Sequence, residues 1–164
     1  MRNRTFDKTL KRAAVWTVAL AAAFAAFAMV GPDALADKHS KVAEERSRLM
    51  KGMGGAMRTL KGFVEGRNSA EEAAAAVMTL SATAAKIADV FPPGTGMGAD
   101  PKSEAKDEIW EQWDEFEAAA ALLGTKAAAF GDALASSGDV GAAFGELGKD
   151  GCGGCHRQFR EKRN

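Results

Sequence analysis

Apolar side chains recur every three or four residues along one long segment of this chain. The series is Ile109, Trp113, Phe116, Ala120, Leu123, Ala127, Phe130 and Leu134. This spacing places all of these side chains on one face of an α-helix. No stretch of the sequence shows the alternation of apolar and polar residues that a half-buried strand requires. The pattern therefore predicts an all-α fold.

Two further helices are predicted before this segment. Residues 38–64 carry an apolar series of the same kind, which is Leu49, Met53, Ala56, Leu60 and Phe63. Residues 69–91 begin with Ser69 and Glu72, whose spacing is typical of a capping box, and they end at Pro92.

The last two predicted helices complete the fold. Asp100 as the N-cap and Pro101 at the first helical position predict a third helix over residues 100–136. Asp139 can cap a fourth helix that extends to residue 159. Four helices with one apolar face each predict an antiparallel four-helix bundle.

The first 36 residues have the layout of a secretory signal peptide. A basic start is followed by the uncharged run AAVWTVALAAAFAAFAMV and then by Ala34-Leu35-Ala36. We expect cleavage after Ala36, which leaves residues 37–164 as a periplasmic domain without a membrane segment. An uncleaved anchor is the alternative, because the apolar run approaches the ~20 residues that span a bilayer.

The charge balance argues against nucleic acid as a partner. The chain has 22 basic and 22 acidic side chains, and the basic N-terminal segment leaves residues 37–164 slightly acidic. Binding to a phosphate backbone requires a basic face instead.

The only two cysteines of the chain, Cys152 and Cys155, are followed at once by His156. A structural zinc site needs four ligands, and the only other histidine is His39, far away in the sequence. A thiol–disulfide exchange site of this spacing normally starts a helix after a strand, and no strand is predicted here. Neither chemistry suits this motif.

Cys-x-x-Cys-His is the signature of covalent haem attachment. Two cysteines three residues apart share a helix face, so both can form thioethers at one edge of a porphyrin. The next residue is rotated by about 100°, which lets the His156 imidazole bind the iron. Phe159 is expected to pack on the ring, and the many glycines around the motif are expected to give the ring room.

These features together resemble class II cytochromes c, the cytochrome c′ family. The resemblance is carried by CGGCHRQFR at the C-terminus, by IWEQWDEF in the third helix and by ERSRLMKGMGGAM in the first. It implies a four-helix bundle over residues 37–164 with one covalent haem c on the C-terminal helix.

The resemblance also implies roles for residues of the first and last helices. The family's helix-one arginine corresponds to Arg46, which is expected to pair with a haem propionate. Arg160 is expected to shape the proximal pocket around His156. The distal position corresponds to Met50, which is expected to ligate the iron opposite His156, as in the low-spin members of the family.

The implied function is that of a non-enzymatic carrier that passes single electrons between redox partner proteins. The alternative is a five-coordinate, high-spin cytochrome c′ that binds NO or CO. Many family members dimerise, and the alanine-rich, mixed outward faces of the helices leave a homodimer open as a further partner.

Overall fold

The computed structural model describes the backbone of residues 32–162 and the side chains of residues 36–162. Most of the predicted signal peptide lies outside the described residues, so its cleavage after Ala36 stays a prediction. The chain divides after Leu35, and the unit described below begins at Ala36. Among the described helices, none is long and apolar enough to cross a membrane.

The first helix, α1, spans Pro32–Val64. It ends where the sequence predicts and starts earlier than predicted. Met53, Ala56 and Leu60 are buried, which confirms the apolar face of this helix. Gly66 follows the helix with a φ of 73°, a left-handed conformation that glycine adopts without strain.

The second helix, α2, spans Ala70–Ala84 and begins with the predicted capping box. The Ser69 hydroxyl oxygen accepts from the Glu72 amide at 3.1 Å, and the Ser69 amide donates to the Glu72 carboxylate at 2.7 Å. The helix ends earlier than residue 91, and a short 3₁₀ turn at Ala88–Val90 leads to Pro92. Phe91 is nevertheless buried, as its place in the apolar series predicts.

The prediction that the third helix begins at Asp100 is wrong. The Asp100 carbonyl accepts from the Ser103 amide at 2.9 Å, and its carboxylate accepts from the Lys102 amide at 2.7 Å. Asp100 and Pro101 therefore start a tight turn, for which Asp and Pro are equally suited. Helix begins later, with the short α3 at Glu108–Glu111 and the long α4 at Trp113–Ala135.

The fourth helical segment runs without a break from residue 140 to residue 159 but changes its winding. It consists of α5 at Val140–Glu146, a π-helical segment at Leu147–Cys152 and α6 at Gly153–Phe159. Asp139 caps it as predicted, accepting from the Ala142 amide at 2.9 Å. The π-helical segment is not predicted by the sequence pattern.

All four helical segments contribute to one apolar core. Its largest fully buried side chains are Leu60, Leu80, Ile109, Phe116, Phe130 and Leu147. Residues 32–162 contain no β-strand, only an isolated antiparallel bridge between Ala105 and Arg160. The predicted all-α four-helix bundle is confirmed.

Candidate haem site

The Cys-x-x-Cys-His motif lies where the fourth helical segment changes its winding. Cys152 is the last residue of the π-helical segment, whereas Cys155 and His156 belong to α6. A π turn holds more residues than an α turn, so the motif faces a different direction than it would in an unbroken α-helix of the same length. Single π turns of this kind are frequent at functional sites.

Gly151 brings the π-helical segment close to α4. A Cβ atom at this position would lie 3.3 Å from Cδ1 of Leu123 and 3.5 Å from its Cα. The 3.3 Å separation is tighter than an ordinary van der Waals contact, so a larger residue would require the Leu123 side chain to shift. The close neighbour of this glycine is therefore α4, although Gly151 also lines one of the cavities at the site.

Burial sets the protonation of the motif. Both thiols are free and half-buried, and desolvation raises the pKa of Cys155 to about 11 and that of Cys152 in the same direction. Desolvation lowers the pKa of His156, and the Arg160 cation lowers it further. The His156 imidazole is thus neutral near pH 7, which is the form that binds a metal.

Two cavities of about 470 and 270 Å³ meet at the motif. Met50 of α1, Cys155 and His156 line both of them. Met53 and Met57, the other methionines of this part of α1, line only the smaller cavity. The larger cavity is also lined by Arg46, Phe91, Phe116, Phe159 and Arg160. Among Met50, Met53 and Met57, only Met50 lines both cavities.

The groups around these cavities fit a haem c. Two thiols, a neutral imidazole and the Met50 thioether are the groups that hold such a haem covalently and as axial ligands. Zinc does not fit, because no three His, Cys, Asp or Glu side chains of the described residues could share a metal ion. Thiol exchange does not fit either, since a reactive cysteine needs a lowered pKa.

Arg46 reaches the wall of the larger cavity but uses much of its hydrogen-bonding capacity elsewhere. Nε donates to the Val90 carbonyl at 2.6 Å, and Nη1 donates to the Thr95 carbonyl at 2.7 Å. Nη2 donates to the Thr95 hydroxyl oxygen. The predicted contact of Arg46 with a haem propionate stays a prediction, while these contacts show that it also holds the loop after α2.

Phe159 and Arg160 lie at the end of α6, which we call the motif helix because it carries Cys155 and His156. Both residues line the larger cavity. Phe159 is 2 % exposed, and its ring meets that of Phe116 edge-on with centroids 5.4 Å apart. Arg160 Nε donates to the Glu104 carboxylate at 2.6 Å. The role of Arg160 near the proximal imidazole stays a prediction, but the pair with Glu104 holds its side chain beside the cavity.

Sequence reasoning missed the contribution of residues 102–105, which also line the larger cavity. The sequence pattern places them in the third helix, whereas Lys102 and Ser103 complete the turn that Asp100 starts and Ala105 pairs with Arg160 at the end of α6. Pro101 is typical of a helix start and equally typical of a turn. Only the pairing of Ala105 with Arg160, at the end of α6, distinguishes the turn from the helix.

The family comparison covers most of the chain. Residues 41–160 match the family model described as Cytochrome C′. Cytochrome c-556 from Agrobacterium tumefaciens (strain II Chrys) is 40% identical over 123 residues, which cover 73% of this chain and 97% of the relative.

Solved structures agree with the sequence comparison. Cytochrome c′ from Thermochromatium tepidum superposes with a TM-score of 0.65 at 29% identity, covering 76% of this chain and 98% of that one. Oxidised cytochrome c556 from R. palustris has a TM-score of 0.63 at 26% identity, covering 76% and 99%. The chain therefore belongs to the cytochrome c′ family and carries one covalently bound haem c.

Proposed function

We propose that this protein is a periplasmic electron carrier whose haem iron is ligated by His156 and Met50. The observation that carries this proposal is that Met50, Cys155 and His156 line both cavities of the site. The bound haem supplies one-electron exchange between ferric and ferrous iron. No substrate has to reach the iron in this role.

The protein's own residues prepare the site for this role. Burial keeps the His156 imidazole neutral, so it can ligate iron without first losing a proton. The half-buried Met50 offers a thioether from α1, a ligand that raises the potential of a c-type haem. Phe91, Phe116 and Phe159 line the larger cavity with aromatic surface, against which a porphyrin ring can pack.

The location and partners follow from the sequence. The predicted signal peptide, residues 1–36, would export the chain to the periplasm, where it exchanges electrons with redox partner proteins. We expect no enzymatic activity of its own. A homodimer stays a prediction of the family resemblance.

The optical spectrum of the haem-loaded ferric protein tests the proposal. We expect low-spin bands and the weak near-infrared transition from sulfur to iron. Met50→Ala should convert the protein to high-spin, whereas Met57→Ala, at a residue of the smaller cavity only, should leave it low-spin. A high-spin wild type whose ferrous form binds CO rapidly would overturn the proposal in favour of a gas-binding cytochrome c′.

Two further outcomes concern the iron ligand and the covalent attachment of the haem. A low-spin Met50→Ala variant would mean that another side chain binds the iron, and the same substitution at Met53 would then identify it. Loss of the haem stain after denaturing electrophoresis of the wild type would contradict covalent attachment itself.

A further inference from the structure

Arg46 is a buried cation on α1, one helical turn before Met50. The residue is 6 % exposed, and desolvation lowers its pKa to about 10, while the Asp100 carboxylate opposes that shift. A buried charge is costly unless it is paired and hydrogen-bonded. The contacts that compensate this cost therefore indicate what the side chain does.

These contacts join α1 to the segment between α2 and α3. Arg46 donates to the Val90 carbonyl, to the Thr95 carbonyl and to the Thr95 hydroxyl. The Thr95 hydroxyl in turn donates to the Pro92 carbonyl at 2.6 Å. We call Arg46, Val90 and Thr95 the latch, because they tie α1 to the 3₁₀ turn that ends at Val90 and to the loop that follows it.

The same guanidinium also lies against aromatic rings at the cavity wall. Its central carbon, Cζ, is 4.2 Å from the ring centroid of Phe91 and 5.8 Å from that of Trp110. Trp110 Nε1 donates to the Phe91 carbonyl at 3.0 Å, and this hydrogen bond holds the backbone of Phe91. Phe91 then packs on Phe116 with centroids 4.8 Å apart. A continuous set of contacts thus runs from Arg46 to the core beneath the site.

We propose that Arg46 is a positioning residue for the sixth iron ligand: through the latch it holds α1, and with it Met50, against the haem. This inference rests on the proposed His156 and Met50 ligation. A thioether is a weak ligand, so its bound fraction depends on how firmly its helix is held. Breaking the latch lets α1 move away, and the iron then opens to external ligands.

The latch and a contact with a propionate make different predictions for two conservative variants. Thr95→Val removes the hydroxyl that Arg46 binds and keeps the shape and every charge. Arg46→Lys keeps the positive charge but loses the branched donor group that reaches Val90 and Thr95 together. If Arg46 acted only on a propionate, Thr95→Val would have no effect on the ligation of the iron. Arg46→Lys would then resemble the wild type.

The test measures CO binding to the ferrous haem-loaded protein, because CO can bind only when Met50 has left the iron. We expect roughly tenfold faster binding in Thr95→Val, since one hydrogen bond to a charged group is lost. CO binding should be faster still in Arg46→Lys and in Arg46→Met. Matched controls are Thr79→Val, on the exposed face of α2, and Arg48→Met, at an exposed position of α1.

Amide hydrogen exchange gives a readout that does not depend on the iron. Exchange at residues 90–97 should be about tenfold faster in Thr95→Val than in Thr79→Val. If Arg46→Met fails to fold, CO binding and amide exchange of Thr95→Val still decide whether Arg46 acts through the latch. A low-spin wild type with CO binding unchanged in Thr95→Val and Arg46→Lys overturns the positioning role alone. A high-spin wild type overturns the proposed ligation and this role with it, while exchange still reports whether the latch exists.

Discussion

The Lys106 amide donates to the Phe159 carbonyl at 3.0 Å. This bond joins the segment before α3 to the last residue of the motif helix. The Glu161 amide adds a second bond to the Glu104 carbonyl at 2.9 Å, and the Arg160 side chain reaches the Glu104 carboxylate. The C-terminal end of the motif helix is therefore held by backbone pairing, by an ion pair and by the buried Phe159 ring.

Phe159 should contribute most of the stability at this end of the helix. Phe159→Ala removes a ring that is almost fully buried and leaves a cavity, so the free energy of unfolding should fall by about 3–5 kcal/mol. Arg160→Ala, the matched change at a partly exposed ion pair, should cost at most about 1 kcal/mol. Urea unfolding followed by circular dichroism compares the two. Equal losses would mean that the ion pair stabilises the helix end as much as the packed ring does.

Each cysteine should form one thioether. Cys152→Ala and Cys155→Ala should each keep haem staining after denaturing electrophoresis, because the other cysteine still holds the ring. Their pyridine haemochrome bands should lie at longer wavelength than that of the wild type, since one vinyl group stays conjugated with the ring. The double variant should lose the stain. Staining of the double variant would show attachment through some other residue.

The π-helical segment should accommodate one residue more than an α-helical connection between the same flanking helices. Deleting Lys149, an exposed residue of this segment, should restore α-helical winding and leave Cys152, Cys155 and His156 in their present orientation relative to α5. The haem content per protein should then stay close to that of the wild type. Lys149→Ala keeps the length of the segment and should load haem like the wild type. Loss of haem from the deletion variant alone would mean that the orientation of the motif depends on the extra residue.

The haem-free protein should lose stability in mild acid because of His156. Its pKa is lowered in the folded state, so the unfolded chain takes up a proton first as the pH falls below about 6.5. The free energy of unfolding should therefore decrease from about pH 7 toward about pH 5, and this part of the decrease should be missing in His156→Gln. Urea unfolding at both pH values measures it. An identical decrease in both proteins would assign the acid sensitivity to other groups.

Local sequence signals correctly predicted the starts of two helices and the covalent haem c. Ser69 with Glu72, and Asp139, cap helices as predicted because a cap needs only residues within one turn. The thiols of Cys152 and Cys155 and the His156 imidazole are neighbours in sequence, so their pattern identifies the chemistry without tertiary information.

The parts that sequence reasoning missed depend on contacts between distant residues. Asp100 is equally suited to a helix cap and to a turn, and the pairing of Ala105 with Arg160 selects the turn. The partners of Arg46 lie 44 and 49 residues along the chain, so its role as a latch cannot be derived from α1 alone. Likewise, the π-helical segment has no periodic signature of its own.

The π-helical segment also has a consequence for comparing related chains. A π turn differs from an α turn by one accommodated residue, so a single insertion or deletion near residues 147–152 can change the winding and leave both flanking helices in place. A one-residue gap inside a helix, which usually signals a faulty alignment, is structurally reasonable here. The number of residues between the Asp139 cap and Cys152 is therefore a poor criterion for excluding a relative. We expect related chains to differ by one residue in this spacing.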